Sequence, residues 1–299
     1  MKALVISGGG SKGAFAGGVA EFLLEKEADK YDLFVGTSTG SLLIPHLALN
    51  KIEKIKEIFT SVNQSSIFSR RPFFVKNKNG VFVISINHFN VLINLIRGSK
   101  TFGESHSLRK LIRKSITREE FKELKAGSKD VIITVSNLST NEVEYKSIKD
   151  FEYSEFCDWI WISCNYLPFM SLVNKKGSDY GDGGFTNLVP IREAINRGAT
   201  EIDVIILQTE TQISKKIISR NPFSLLVNLF GTVLEQVKKK DIAIGLLAAK
   251  NNNVTINFYY TPTHLTDNAL FFNKTEMKKW WKQGYEYALT KSEIMSDIK

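Results

Sequence analysis

The run Asp32-Leu33-Phe34-Val35-Gly36-Thr37-Ser38-Thr39-Gly40-Ser41 constrains what this chain can fold into more than any other stretch. A short apolar segment ends at Gly36, and Ser38 stands between two glycines in the spacing G-x-S-x-G. Helix-compatible residues follow from Leu42 to Leu49. Strand, sharp turn and helix in that order can hold a serine hydroxyl beyond the edge of a sheet, because glycines leave room for a strained turn. The helix then aims its N-terminal N–H groups at the same spot, where negative charge is stabilised. Small residues at a tight strand–helix turn are also common for structural reasons alone, so the motif needs support from the rest of the chain.

That support begins at the N-terminus. Lys2 to Ser7 reads as a buried strand, followed directly by Gly8-Gly9-Gly10-Ser11-Lys12-Gly13. Ala14, Phe15, Val19, Phe22 and Leu23 then recur at helical spacing. Pro45 lies inside the helix after Ser38 and is expected to kink it, and Lys51 to Thr60 reads as a short amphipathic helix. Alternating strands and helices predict a three-layer α/β fold with a mostly parallel central sheet. Further along, helices are expected at Leu108–Ser115, Glu119–Leu124, Ser154–Asn165 and Pro190–Arg197. Strands are expected at Asp130–Ser136, with Glu142–Ser147 as hairpin partner, and at Glu201–Leu207 and Val254–Tyr259. Ser224–Lys250 reads as one long helix, or two broken near Gly231 or Gly245, and Thr275–Leu289 as a last amphipathic helix.

Residues 61–107 depart from the alternation. Ser69-Arg70-Arg71-Pro72-Phe73-Phe74 joins bases to aromatics, Asn77-Lys78-Asn79-Gly80 reads as a turn, and Phe89 to Ile96 is apolar. We read this segment as a cap inserted over the sheet. With no repeat, low-complexity tract or linker, the chain is expected to be a single domain, 1–299. A core at about 2–210 would carry the cap, and a helix and strand extension would occupy about 211–299.

Composition narrows the class. With 43% hydrophobic and 24% charged residues, 299 residues can bury a sizeable core. No uninterrupted apolar run approaches the roughly 18 residues of a membrane span, and Ala3-Leu4-Val5-Ile6 is too short for a secretory leader. Two cysteines, Cys157 and Cys164, read as buried thiols of a reducing compartment, which favours a cytoplasmic protein. The net charge of +9 suits an anionic surface and serves solubility equally well. The Lys238-Lys239-Lys240 run reads as a solvated helix face.

The glycine run admits two uses. Gly8-x-Gly10-x-x-Gly13 satisfies G-x-G-x-x-G after a strand and before a helix, as a dinucleotide site requires. Such a site also needs an acid at the end of the second strand, and that strand ends Gly36-Thr37-Ser38, with Asp29 and Asp32 before it. It is no P-loop, since Lys12 precedes Gly13. Alternatively, the loop's N–H groups form an oxyanion hole. A parallel sheet delivers both loops to one edge, which would make the glycine loop and Ser38 neighbours. For a base, His46, His88 and His106 have no supporting motif, and His264 is the one late candidate for a histidine triad. Asp182, between Gly181 and Gly183-Gly184, can approach a partner at little steric cost, although Asp-Gly is also ordinary turn chemistry.

Four blocks in order give the chain a likeness to a family: Gly8–Gly13, Gly36–Gly40, Ser163 to Pro168, and Asp182-Gly183-Gly184. Asn187-x-x-Pro190 and Arg197-Gly198-Ala199 continue the pattern. In these blocks the chain resembles the patatin-like phospholipases from about Lys2 to Leu207, with a looser likeness at Gly284, Tyr285 and Ala288. The resemblance implies a Ser–Asp dyad without histidine, with Ser38 as nucleophile and Asp182 as its base. It places the oxyanion hole in the block Gly8, Gly9, Gly10, Lys12 and Gly13. The implied substrate is a phospholipid or other lipid ester, cleaved in the manner of a phospholipase A or lysophospholipase, with no metal, no cofactor and no nucleic acid. Lys12, Ser41 and Cys164-Asn165 depart from the usual residues of these blocks, and the cap has no alignable counterpart. Arg70, Arg71, Phe73 and Phe74, with Lys76 and Lys78, suggest peripheral contact with an anionic membrane. A non-catalytic lipid-binding or regulatory protein that keeps the fold is the alternative.

Overall fold

A computed structural model describes residues 1–78, 81–211, 222–266 and 268–297. The chain opens with β1 (Lys2–Ile6), α1 (Gly13–Glu27), β2 (Tyr31–Thr37), α2 (Thr39–Ala48) and α3 (Ile52–Ser61). The cap follows as α4 (Gln64–Ile67), a hairpin of β3 (Phe73–Lys78) and β4 (Val81–Ile86), and α5 (His88–Ile96). Next come α6 (His106–Ser115), α7 (Arg118–Ala126), β5 (Asp130–Asn137), β6 (Glu142–Ser147) and α8 (Tyr153–Ser163). The rest is β7 (Val173–Lys175), β8 (Ser178–Asp182), α9 (Ile191–Asn196), β9 (Glu201–Ile206), α10 (Pro222–Asn252), β10 (Thr255–Tyr260) and α11 (Lys274–Asp297).

The main sheet runs β10-β9-β1-β2-β5-β8-β7, with β6 also on β5. From β10 to β5 all pairs are parallel; β6, β8 and β7 are antiparallel to their neighbours. Alternation along β1 shows why the sheet is buried on both faces. Leu4 and Ile6 join the core beneath α1, α2 and α11, whereas Ala3 and Val5 join the core beneath α9 and α10. The result is the expected three-layer arrangement.

β5 decides where the chemistry can be. Its residues Ile132–Asn137 pair with β6, which takes one edge. β2 pairs with β5 up to Thr37↔Thr134, and β8 pairs from Val135↔Asp182 onward, so both lie on the other edge. β2 leaves that edge at Ser38, and β8 takes it over at Asp182. The register therefore sets the two residues side by side, although 144 positions separate them in sequence.

Several local expectations are refined. α10 is one helix, continuous through Gly231 and Gly245: Gly231 faces open space, and Gly245 packs against Ile191. α2 accommodates Pro45 within its span. Lys238 departs from the solvated face expected for it, being buried in an ion pair with Glu235 (2.7 Å). β10 and α11 are integral to the core. β10 extends the sheet, and α11 covers α1 so closely that α1 is buried continuously from Gly13 to Leu24. The turn expected at 77–80 lies partly outside the described residues.

Candidate active site

The turn between β2 and α2 holds Ser38 at φ 53°, ψ −119°, a conformation that costs a non-glycine residue roughly 1–3 kcal/mol. Four contacts hold it there. The Ser38 N–H donates to Ser163 Oγ (2.9 Å), and the Ser38 carbonyl accepts from the Ser41 N–H (2.9 Å) and the Cys164 thiol (3.2 Å). Ser163 Oγ in turn donates to the Thr134 carbonyl (2.7 Å), tying the turn to β5. The flanking glycines are required by close approach: a Cβ on Gly40 would stand 2.3 Å from the Ile6 carbonyl oxygen, and one on Gly36 2.6 Å from the Gly40 carbonyl carbon.

Ser38 Oγ donates to Asp182 Oδ2 at 2.7 Å. The other carboxylate oxygen, Oδ1, accepts from the Gly184 N–H (2.8 Å), and the Asp182 N–H donates to the Asn165 carbonyl (3.0 Å). Burial pushes the Asp182 carboxyl up to about 7, against the opposing pull of its bonds from Ser38 and Gly184. No cation pairs with it among the described residues. A carboxylate tuned to neutrality and bonded to a serine hydroxyl can take that hydroxyl's proton near pH 7.

The glycine turn adjoins Ser38; a Cβ on Gly8 would lie 3.2 Å from the Ser38 Cβ. Its amides are not equivalent. The Gly8 N–H donates to the Leu188 carbonyl (3.2 Å), the Lys12 N–H to the Gly9 carbonyl (3.3 Å), and the Gly13 N–H back to Gly10 and Ser11. The Gly9 and Gly10 N–H groups have no acceptor among the described residues. Gly10 has φ +59°, and a Cβ there would stand 2.2 Å from the Ala269 carbonyl oxygen.

Gly8, Gly9, Gly10, Lys12, Ser38 and Asp182 line one cavity. Much of its remaining wall is apolar, built by Ile55, Phe59 and Val62 of the α3 region and by Leu108, Leu111 and Ile112 of α6. Among the described residues, no histidine lines it. His88, His106 and His264 are exposed, and His46 is buried within α2, where burial pushes it down to about 4.

The family model of patatin-like phospholipases matches residues 4–195. The chain belongs to that family. The family takes its name from phospholipases, enzymes that act on lipid acyl esters. Among curated proteins, the chain is 22% identical over 208 residues to the uncharacterised protein YjjU of Escherichia coli (strain K12), covering 68% of this chain and 51% of YjjU. Among solved structures it resembles VipD from Legionella pneumophila, with a TM-score of 0.52 at 15% identity, covering 97% of this chain and 66% of VipD. The chain thus spans about half of the one relative and two thirds of the other, and the second likeness concerns the fold alone.

One brace of this patatin-like site was invisible in the sequence. Asp241, in the middle of α10, accepts from the Leu188 N–H (2.6 Å) and the Val189 N–H (3.1 Å) through Oδ2. It fixes the segment whose Leu188 carbonyl engages Gly8, and burial pushes its carboxyl up to about 6. Nothing in its local sequence distinguishes it from a solvated helix residue. In the cap, Phe73 is buried rather than available to a membrane, whereas Phe74 and Arg71 are exposed.

Proposed function

We propose that the chain hydrolyses acyl esters of lipids through a Ser38 acyl-enzyme, with Asp182 as the only general base. The observation that carries this reading is the 2.7 Å bond from Ser38 to a buried carboxylate in a largely apolar cavity. Ser38 Oγ attacks the ester carbonyl carbon while its proton passes to Asp182 Oδ2. The carbonyl oxygen becomes an oxyanion, stabilised by the Gly9 and Gly10 N–H groups and by the nearby N-terminus of α1. Collapse breaks the ester bond, and the departing alcohol takes the proton from Asp182. Water then attacks the acyl carbon and gives a proton to Asp182. Release of the fatty acid returns that proton to Ser38. The acyl chain lies along the α3 and α6 side chains.

Fatty-acid release from mixed phospholipid vesicles by wild type, Ser38→Ala and Asp182→Asn tests this. Release by wild type alone supports the dyad. Activity that survives Asp182→Asn but is lost in His264→Ala would replace it with a histidine triad. Lipid retained without turnover would make the chain a lipid-binding protein of the same fold.

A further inference from the structure

The cap is charged unlike the rest of the chain. Residues 61–107 contain Arg70, Arg71, Lys76, Lys78, Arg97 and Lys100 against the single acid Glu104, so this segment accounts for +5 of the net +9. Within it, α5 is amphipathic in the inverted sense. Phe89, Leu92, Leu95 and Ile96 fall at helical spacing on one stripe, which in an ordinary surface helix faces the core. Here that stripe faces outward, and the four side chains are 72%, 56%, 48% and 75% exposed.

The polar side of α5 holds the helix in this orientation. Asn94 is buried; its Oδ1 accepts from Arg70 Nη1 (3.2 Å), and its Nδ2 donates to the Phe102 carbonyl (2.9 Å). Asn90 Nδ2 donates to the Arg71 carbonyl (2.9 Å), and Asn87 caps the helix by accepting from the Asn90 N–H. The apolar stripe is therefore presented by specific bonds, and a contiguous exposed apolar patch of this kind marks an interaction surface. Along the polar side of α5, a depression lined by Ser65, Ser69, Arg70, Arg71, Asn90 and Phe74 combines hydroxyl and guanidinium donors. Neither guanidinium is ion-paired among the described residues.

We propose that this face docks on an anionic lipid bilayer, with α5 lying in the headgroup plane and the arginine depression accepting a lipid phosphate. Apolar side chains bordered by bases suit that boundary. A second copy of the same face would bring like charge against like. The aromatic rings of Phe68, Phe73, Phe169 and Phe102 pack in series behind the cap, and Ile67 and Met170 beside them line the Ser38 cavity. Docking would thus bring lipid close to the cavity. The docking proposal rests on the hydrolase reading only for this last consequence, because vesicle binding is measurable without turnover.

The test is co-sedimentation with vesicles of phosphatidylcholine alone or with about 30% phosphatidylglycerol, using wild type, Leu92→Asp/Ile96→Asp, Phe89→Ala/Ile96→Ala and Arg71→Glu/Arg97→Glu. Wild type should bind the anionic vesicles and bind the neutral ones more weakly. The aspartate pair should lose more than about tenfold in affinity and the alanine pair less, while the glutamate pair should lose the preference for anionic lipid. All of these residues are outside the Ser38 cavity, so hydrolysis of a soluble short-chain ester should stay within about twofold of wild type. Wild type that fails to bind anionic vesicles, or variants that bind as it does, would overturn the proposal. So would a wild-type dimer that the aspartate pair converts to monomer. If wild type binds vesicles but cleaves neither vesicle lipid nor soluble ester, the hydrolase reading falls and the docking surface stands.

Discussion

Two buried hydroxyl–carboxylate pairs lie at opposite ends of the same sheet. At the C-terminal end Ser38 donates to Asp182 at 2.7 Å; at the N-terminal end Tyr31 donates to Asp203 at 2.5 Å. Both carboxylates are almost completely buried. Asp203, however, has the Lys2 ammonium 3.2 Å away and accepts from Asn257 Nδ2 at 2.9 Å, while Glu27 and Glu201 complete the surroundings of Lys2. Those acidic partners raise the Lys2 ammonium pKa against the effect of burial, which keeps it charged. Asp182 has no cation beside it among the described residues, and burial drives its carboxyl to about 7. Burial with a counter-ion keeps a carboxylate ionised as an anchor; burial without one raises its proton affinity, as the proposed role of Asp182 requires.

The largest effect expected from breaking this contrast is at the serine. Ser38→Ala should lower fatty-acid release at least about a thousandfold and leave the melting temperature close to wild type. Asp182→Asn should cost nearly as much activity. Its effect on stability should also have a sign opposite to that of a substitution at the other pair. A carboxyl whose folded pKa is raised to about 7 loses stability as pH rises from the ordinary carboxylate range through 7. The introduced asparagine would keep the Gly184 bond, so the variant should be more stable than wild type at pH 8 by on the order of 2 kcal/mol, and the gain should vanish near pH 4. Denaturant melts at the two pH values check this. A gain that does not depend on pH would show that the charge is not its source.

With Asp182 as the proposed base, the same carboxyl would set the pH profile of catalysis. In wild type kcat/KM should rise with pH through an apparent pKa of about 7, since only ionised Asp182 accepts the serine proton. A flat profile from about pH 5 to pH 8, a window that starts above the ordinary carboxylate range, would refute the assignment. At the other pair, Asp203→Asn should leave kcat/KM near wild type and destabilise the fold by about 3 kcal/mol, because Lys2 would lose its buried partner. Gly10→Ala should lower kcat about a hundredfold by disturbing the glycine turn. The smallest effect is expected along the cavity wall. Ile112→Trp should lower activity on long-chain esters several-fold and spare short ones, as chain-length profiles would show.

Much of the site could be read in the sequence because its parts carry local chemistry. Gly36, Ser38 and Gly40 mark a strained turn at a strand end, and the glycine run after β1 marks a second loop at the same sheet edge. Asp182 was different. Its Asp-Gly context is that of any turn, and it gained meaning from its order relative to the other blocks, then from the β5 register that sets it beside Ser38. Asp241 had no local signal at all, since its partners are backbone N–H groups 52 and 53 residues away. The oxyanion candidates were legible as a group but not individually, because the amides of Gly8, Lys12 and Gly13 are engaged by neighbours that only the folded loop supplies.

The sequence by itself determined the alternation of strands and helices, the strained serine turn, the basic cap and the absence of any long apolar span, since these follow from periodicity, glycine placement and charge. The tertiary structure decided which hydroxyl meets which carboxylate, which carboxylate keeps a counter-ion, and which way α5 faces. The physical reason is range. Periodicity and turn chemistry act within a few residues, whereas a carboxyl's ionisation and a helix's orientation depend on groups that only the fold brings together.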